Sequence, residues 1–337
     1  MKSYTRVVVC LVMMAATTPS NIEAVEQCCK IVDDCQIPLT CESSTNINGT
    51  SFQNPGYPLV TTTPQYSCRH KVYPVNSNIC QIRLDLTEFL LAQPDIDGVC
   101  VKDFMLVTGG ATNIPQICGL NSEQHLYLEV TPDFGSVTIN VDTSAAGAKW
   151  SIAVSQIECN SPYRAPAGCL QYFTNTYGTI KSFNYDATTF RFGTAPLDTT
   201  QLANQEYGVC IKSHLGYCSV VYTKSTEYFY SLFYDYSFSL TGDPSIVLPG
   251  TILPAVGSAD CTTDYVMIPK GVIHDPNYAV TTADRYCGAN FPSKVETSVQ
   301  PFVLYVVTDG LEASYVNETY RDGPNVGFSI DYRMLPC

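Results

Sequence analysis

The chain is poor in positive charge: 18 lysines and arginines stand against 31 aspartates and glutamates, a formal net charge of −13 over 337 residues. Such a balance repels phosphates and anionic lipid headgroups at long range, which argues against nucleic acid and favours cations or basic protein patches as partners. Sustained helical periodicity is missing, so no helical bundle is expected. Beyond the N-terminus no apolar run approaches the roughly eighteen residues of a membrane-crossing helix. No hydrophobic tail precedes Cys337, and the expectation is a chain with neither a membrane span nor a lipid anchor. None of His70, His125, His214 and His274 lies in H-E-x-x-H. The G-x-S-x-G elbow, the Gly-Asp-Ser-Gly run and the phosphate-cradling G-x-x-x-x-G-K loop are also missing. No enzyme is expected, and each histidine reads as a surface or turn residue.

What is present points outside the cell. Lys2 and Arg6 precede a run from Val7 to Ala16 that is almost purely apolar and holds no acid, with small residues at Ala15, Ala16 and again at Ala24. This is the pattern of a secretory signal peptide over residues 1–24. Of the 16 cysteines, Cys10 falls inside that signal. The remainder is a density suited to disulfides in an oxidising compartment; zinc, the rival reading, wants paired C-x-x-C knuckles, and none exists. The C-terminal half can pair its cysteines internally, whereas the N-terminal half has one left over, a candidate for a disulfide-linked oligomer. The sequons at Asn48 and Asn317 mark candidate glycosylation sites.

One pattern occurs twice. Cys100-x-x-Asp103-Phe104 is followed by Cys118-Gly119, and Cys261-x-x-Asp264-Tyr265 by Cys287-Gly288. Each unit then runs into an alternating apolar strand that ends in an acid, Asp142 and Asp309 respectively. Alternation in Leu126 to Val130, Val137 to Val141 and Trp150 to Val154, with turn signals such as Asn54-Pro-Gly56 and Asp97-Gly98 between, predicts antiparallel strands and an all-β sandwich class. Residues 25–40 form a short Cys-rich arm too small to own a core. Residues 41–160 are one unit, 161–168 a proline-bearing linker, and 169–337 a second, longer unit. In that unit Tyr228, Tyr230, Leu232, Tyr234, Tyr236, Phe238 and Leu240 share one face of an extended chain; the run serves as a core face or as a ligand-stacking wall.

These residues resemble CUB domains, the disulfide-stapled jelly-roll sandwiches of secreted animal proteins. Phe52-Gln-Asn-Pro-Gly-Tyr-Pro58 is similar to the opening of that family, Ile82 to Leu86 to the strand that follows, and Cys100, Asp103, Cys118 and Gly119 continue the match. In the second unit Cys169, Gly178 to Tyr185, Asp264-Tyr265, Arg285 to Gly288 and Gly327 to Tyr332 keep the same order. More narrowly, Asn78 to Asp85, Gln156 to Asn160 and Pro166 to Phe173 resemble arthropod CUB-domain proteins without a catalytic module.

The resemblance implies two disulfide-stapled antiparallel jelly-roll β-sandwiches in tandem. By the same analogy Cys100 pairs with Cys118 and Cys261 with Cys287, with Cys41–Cys68 and Cys169–Cys210 as further bonds. It also implies calcium, held in many CUB domains by a glutamate and two aspartates at one end of the sandwich. Asp103 with Asp142, and Asp264 with Asp309, match the aspartates. Ala92 stands where the first unit's glutamate belongs, Asp95 and Asp97 lie off the matching position, and the second unit has no glutamate in place. The function implied is a secreted, non-enzymatic module that binds an extracellular protein or a glycan through its sandwich-end loops. The alternative is a structural constituent of a matrix, eggshell or cuticle, suggested by 23 tyrosines, strong acidity and an odd cysteine.

Overall fold

A computed structural model describes residues 36–337 except 64, 96, 132–134, 187–199, 226–236, 241–253, 276–281, 289 and 311–324. The expected signal peptide, residues 25–35 of the Cys-rich arm, Asn317 and the tyrosine run from Tyr228 to Tyr236 lie outside the described residues. Among the described residues every regular element is a strand.

The first half carries β1 (Ile37–Leu39), β2 (Ser43–Thr45), β3 (Thr50–Gln53), β4 (Tyr66–Val72), β5 (Ile79–Leu90), β6 (Phe104–Thr108), β7 (Gln124–Glu129), β8 (Val137–Thr143) and β9 (Lys149–Glu158). They form a five-stranded sheet, β1-β3-β9-β5-β7, and a four-stranded sheet, β2-β4-β8-β6. The side-chain period of two decides which face each residue takes. Along β8, Val137, Ile139, Val141 and Thr143 are buried while Thr138, Asn140 and Asp142 are half-buried. Phe52, Leu84, Leu86, Trp150 and Ile152 bury the inner face of the larger sheet. Trp150 lies 5.9 Å from Phe52 and 6.3 Å from Tyr66, ring to ring.

The second half carries β10 (Cys169–Phe173), β11 (Tyr177–Lys181), β12 (Glu206–Ile211), β13 (Tyr217–Lys224), β14 (Phe238–Ser239), β15 (Ala255–Val256), β16 (Tyr265–Ile273), β17 (Thr282–Cys287), β18 (Val295–Thr297), β19 (Phe302–Val307) and β20 (Gly327–Pro336). Here the strands do not separate into two sheets. They follow one hydrogen-bonded path, β10-β12-β19-β16-β18-β13-β20-β11, with β14, β15 and β17 attached off it. The physical reason lies in β16. Its start, Tyr265–Met267, pairs with β19, and its end, Val272–Ile273, pairs with β18. Between them Pro269 lacks an N–H, Lys270 has a φ of 49°, and a Cβ on Gly271 would sit 2.2 Å from the Tyr286 hydroxyl. The strand bends there and passes from one layer to the other. Phe328, Ile330 and Tyr332 of β20 are buried, as are Phe238 and Leu240. For those two residues of the alternating aromatic run, the side chains are core.

The halves meet along two sheet edges. β7 ends the five-stranded sheet and β10 ends the long path, so each covers the other's exposed edge. Residues 161–168 are not a free tether: Gln81 Nε2 donates to the Ala165 carbonyl and Gln81 Oε1 accepts from Ala165 N, both at 2.8 Å. Tyr127, Ile157, Ala165, Cys169, Tyr172 and Cys210 form a small apolar cluster at this junction. Farther along, Gln171 Nε2 donates to Gln124 Oε1 at 2.8 Å, and Ala203 N donates to the Gly98 carbonyl at 2.9 Å.

Candidate binding loops of the first lobe

One end of the first sandwich is assembled by three buried polar side chains, each of which ties loops distant in sequence. Asn54 Oδ1 accepts from Trp150 N at 3.0 Å, while its Nδ2 donates to the carbonyls of Pro55 and Leu59 at 3.0 and 2.9 Å. Thr61 Oγ1 accepts from Gly147 N and Ala148 N at 3.2 and 3.1 Å. Asp103 Oδ1 accepts from Ser144 N at 2.7 Å and from Ser144 Oγ at 2.9 Å, and Oδ2 from Ala92 N at 3.0 Å. Orphan backbone donors at the ends of the loops are thereby satisfied, which fixes the loops without regular structure. Held on this frame, Leu59 is 72 % exposed and Val60 44 %. Beside them Tyr57 donates its hydroxyl to Glu88 at 3.0 Å, Lys149 forms an ion pair with Glu88, and the Lys149 ammonium lies 5.7 Å from the Tyr57 ring centre.

The four aspartates are placed differently. Phe104 and Asp142 are direct partners across β6 and β8, so Asp142 shares the outer face of Phe104. Asp103, one residue before Phe104, turns inward and is buried. The two carboxylates therefore stand on opposite faces, and Asp142 accepts instead from Asn140 Nδ2 at 2.6 Å. In the second lobe Asp264 is buried and accepts from Asp309 N at 2.8 Å. Burial, with the neighbouring Asp309 charge, pushes the Asp264 carboxyl well above the usual carboxylate range. The structure thus brings Asp264 and Asp309 together and keeps Asp103 and Asp142 apart. Among the described residues no three histidine, cysteine, aspartate or glutamate side chains converge as a metal site would need. A calcium ion takes six to eight oxygens; Asp103 turns its own towards Ala92 and Ser144, and neither aspartate pair alone supplies that donor set.

Six disulfides staple the described chain: Cys41–Cys68, Cys80–Cys159, Cys100–Cys118, Cys169–Cys210, Cys218–Cys337 and Cys261–Cys287. Cys100–Cys118 and Cys261–Cys287 each join the loop of a buried aspartate to a Cys-Gly turn. Cys10, Cys28, Cys29 and Cys35 lie outside the described residues. Asn48 is exposed, although Oδ1 accepts from Gln156 N at 2.7 Å.

Two histidines differ from the surface placement expected of them. His70 is fully buried, stacked on Phe52 with ring centres 5.2 Å apart, and its Nδ1 lies 2.8 Å from Ser43 Oγ. That serine–histidine contact is no nucleophile and base. Ser43 Oγ donates to the Thr40 carbonyl, and His70 Nε2 is buried with no hydrogen-bond partner, so it faces no substrate. His125 is buried at the seam between the halves, where Nε2 accepts from Tyr172 N at 3.0 Å. His214 Nε2 contacts the Thr174 carbonyl at 2.8 Å, and His274 lies 3.5 Å from Glu296. Nothing in the sequence around Asn54, Thr61 or His125 announces that these residues tie remote segments together.

Residues 166–335 match the family model for the animal CUB domain. No curated protein matches the chain. Among solved structures, the CUB1-EGF-CUB2 domains of rat MASP-1 align over 87 % of this chain and all of that one, at 13 % identity and a TM-score of 0.29. The full extracellular region of zebrafish Gpr126/Adgrg6 aligns over 88 % of this chain and 36 % of that one, at 12 % identity and a TM-score of 0.28. Superpositions this loose carry no detail of a site.

Proposed function

The chain belongs to the animal CUB domain family, and from that premise we propose that it is an extracellular protein-binding module whose contact surface is the Leu59–Val60 tip of the first lobe. CUB domains are binding modules rather than catalysts, and no helix among the described residues is long and apolar enough to cross a membrane. The observation that carries the reading is the pairing of exposure with rigidity: Leu59 and Val60 project from a loop held by Asn54 at Trp150, Pro55 and Leu59. Apolar side chains exposed on a pre-ordered loop lose little entropy on docking and gain by burial in an apolar pocket, which favours a protein over a sugar surface. Order at this end comes from Asp103, Thr61 and Asn54.

We further propose the tandem arrangement, with residues 41–160 as a second CUB unit joined by 161–168 to residues 169–337, and secretion after loss of residues 1–24. Supporting it, Asp103 and Asp264 are both buried acids that accept a backbone N–H from the loop after an equivalent strand, Ser144 N and Asp309 N. The matrix alternative drew on the tyrosine content. Tyr127, Tyr172, Tyr207, Tyr222, Tyr286 and Tyr332 are buried core side chains, which leaves exposed tyrosines such as Tyr73, Tyr163, Tyr177 and Tyr305 as the ones open to crosslinking. The test is a crosslinking pull-down from the native fluid with the wild-type chain and the L59D/V60D variant, with and without chelator. Capture by the wild type that the variant loses, whatever the chelator, is expected; equal capture by both would end the reading.

A further inference from the structure

The seam between the halves holds a titratable acceptor that the binding loops do not use. The His125 ring lies between β7 and β10, where its Nε2 accepts the Tyr172 N–H at 3.0 Å. This bond joins the edge strand of one sheet to the edge strand of the other. It requires a lone pair on Nε2 and therefore the neutral imidazole with its proton on Nδ1.

The surroundings offer a second positive charge little compensation, because Asp85, the partner of His125 across β5 and β7, is engaged by Arg83. From β5, Arg83 and Asp85 face the ring, but they form an ion pair with each other at 2.6 Å. Arg83 also donates from Nη1 to the Tyr127 hydroxyl at 2.9 Å. From β7, Tyr127 meets the His125 ring edge-on at 5.7 Å; from β10, Phe173 does so at 5.1 Å, and Tyr172 packs on Tyr127 at 6.0 Å. Burial, and then the Arg83 charge, lower the His125 pKa to about 4.

We infer that His125 is an acid-operated latch between the two lobes. A proton placed on Nε2 removes the acceptor, turns the bond into two N–H groups pointing at each other, and leaves the charge among Tyr127, Tyr172 and Phe173. The seam then opens at the β7–β10 edges, while contacts farther along, such as Leu120 N donating to Asn184 Oδ1 at 2.8 Å, keep the lobes attached. Acid thus bares two strand edges that neutral pH keeps covered.

Hydrogen exchange at the Tyr172 amide of the full chain, corrected for intrinsic rates, reads the latch directly. Between the ordinary pKa of 6.5 and the folded value of about 4, the opening constant is expected to rise about tenfold per pH unit. In H125Q, whose amide oxygen accepts but does not titrate, Tyr172 protection is expected to stay constant over that range. Near-ultraviolet circular dichroism run in parallel separates seam opening from loss of the whole fold. Wild-type protection that is flat to about pH 4, an H125Q profile that follows the wild type, or global unfolding ahead of the Tyr172 amide would each overturn the latch.

Discussion

The side chain of Asn184 occupies the space that a Cβ on Gly119 would need, with Oδ1 1.9 Å from that position. From there Asn184 Oδ1 accepts from Leu120 N, Nδ2 donates to Gln93 Oε1 and to the Thr200 carbonyl, and Asn184 N donates to Asn121 Oδ1. One buried amide therefore satisfies groups on both halves of the molecule. Gly119 also has a φ of 78°, in the left-handed region that penalises any Cβ. Gly119→Ala is expected to cost about 3 kcal/mol or more, from backbone strain and displaced buried hydrogen bonds together. Urea denaturation measures it, and an unchanged midpoint would show that Asn184 is not tied to the Gly119 turn.

Stability should fall on acidification with a slope traceable to His70. Burial lowers its pKa from 6.5 to about 4. Between those values the unfolded chain binds a proton that the folded chain refuses, so stability is fully present above 6.5 and is lost as pH falls towards 4. For one such group the loss is about 1.4 kcal/mol per pH unit. His70→Phe, which keeps the stack on Phe52 and leaves Ser43 bonded to the Thr40 carbonyl, should flatten the denaturation midpoint against pH by that share. An unaltered slope would mean that His70 titrates normally in the folded chain.

The disulfides should not be equivalent. Cys218–Cys337 closes a separation of 119 residues and Cys100–Cys118 one of 18. In the chain-entropy view, removing the first pair as a double alanine change costs about 5 kcal/mol, and removing the second about 3 kcal/mol. Thermal unfolding of the two variants should rank them in that order. The reverse ranking would locate the stabilisation in native packing around Cys100 and Cys118, both buried.

The strands were the most legible part of the sequence because their signal is local. Val137, Ile139 and Val141 alternate in the chain and are buried in the fold, since a period of two directly sets the face. Pairings across the molecule have no such signature. Gln81 reaches Ala165 and His125 reaches Tyr172, and an amide or imidazole that bridges distant segments looks the same in a sequence as one that meets water. The path of the second half was only partly hidden: Pro269 and Gly271 mark a break that a sequence can show, whereas the close approach of Tyr286 to Gly271 has no spacing that records it. Asp103 and Asp142 show how spacing misleads, because a one-residue offset from the Phe104 partnership sends one carboxylate inward and the other outward.

That offset also decides what Asp103 does. Its oxygens hold Ala92 and Ser144, so it acts as a loop anchor whose removal orphans three donors. A buried carboxylate with charge-assisted bonds of this kind is worth about 3 kcal/mol when its partners are left unpaired. Asp103→Ala should lower the melting temperature and open residues 91–103 and 144–148 to proteases. Calcium at about 1 mM, a concentration that fills extracellular sites, should change neither the wild-type nor the variant melting temperature. A calcium-dependent rise in the wild type that disappears in Asp103→Ala would assign Asp103 to a cation after all, and the loops would then be ordered by metal rather than by their own amides.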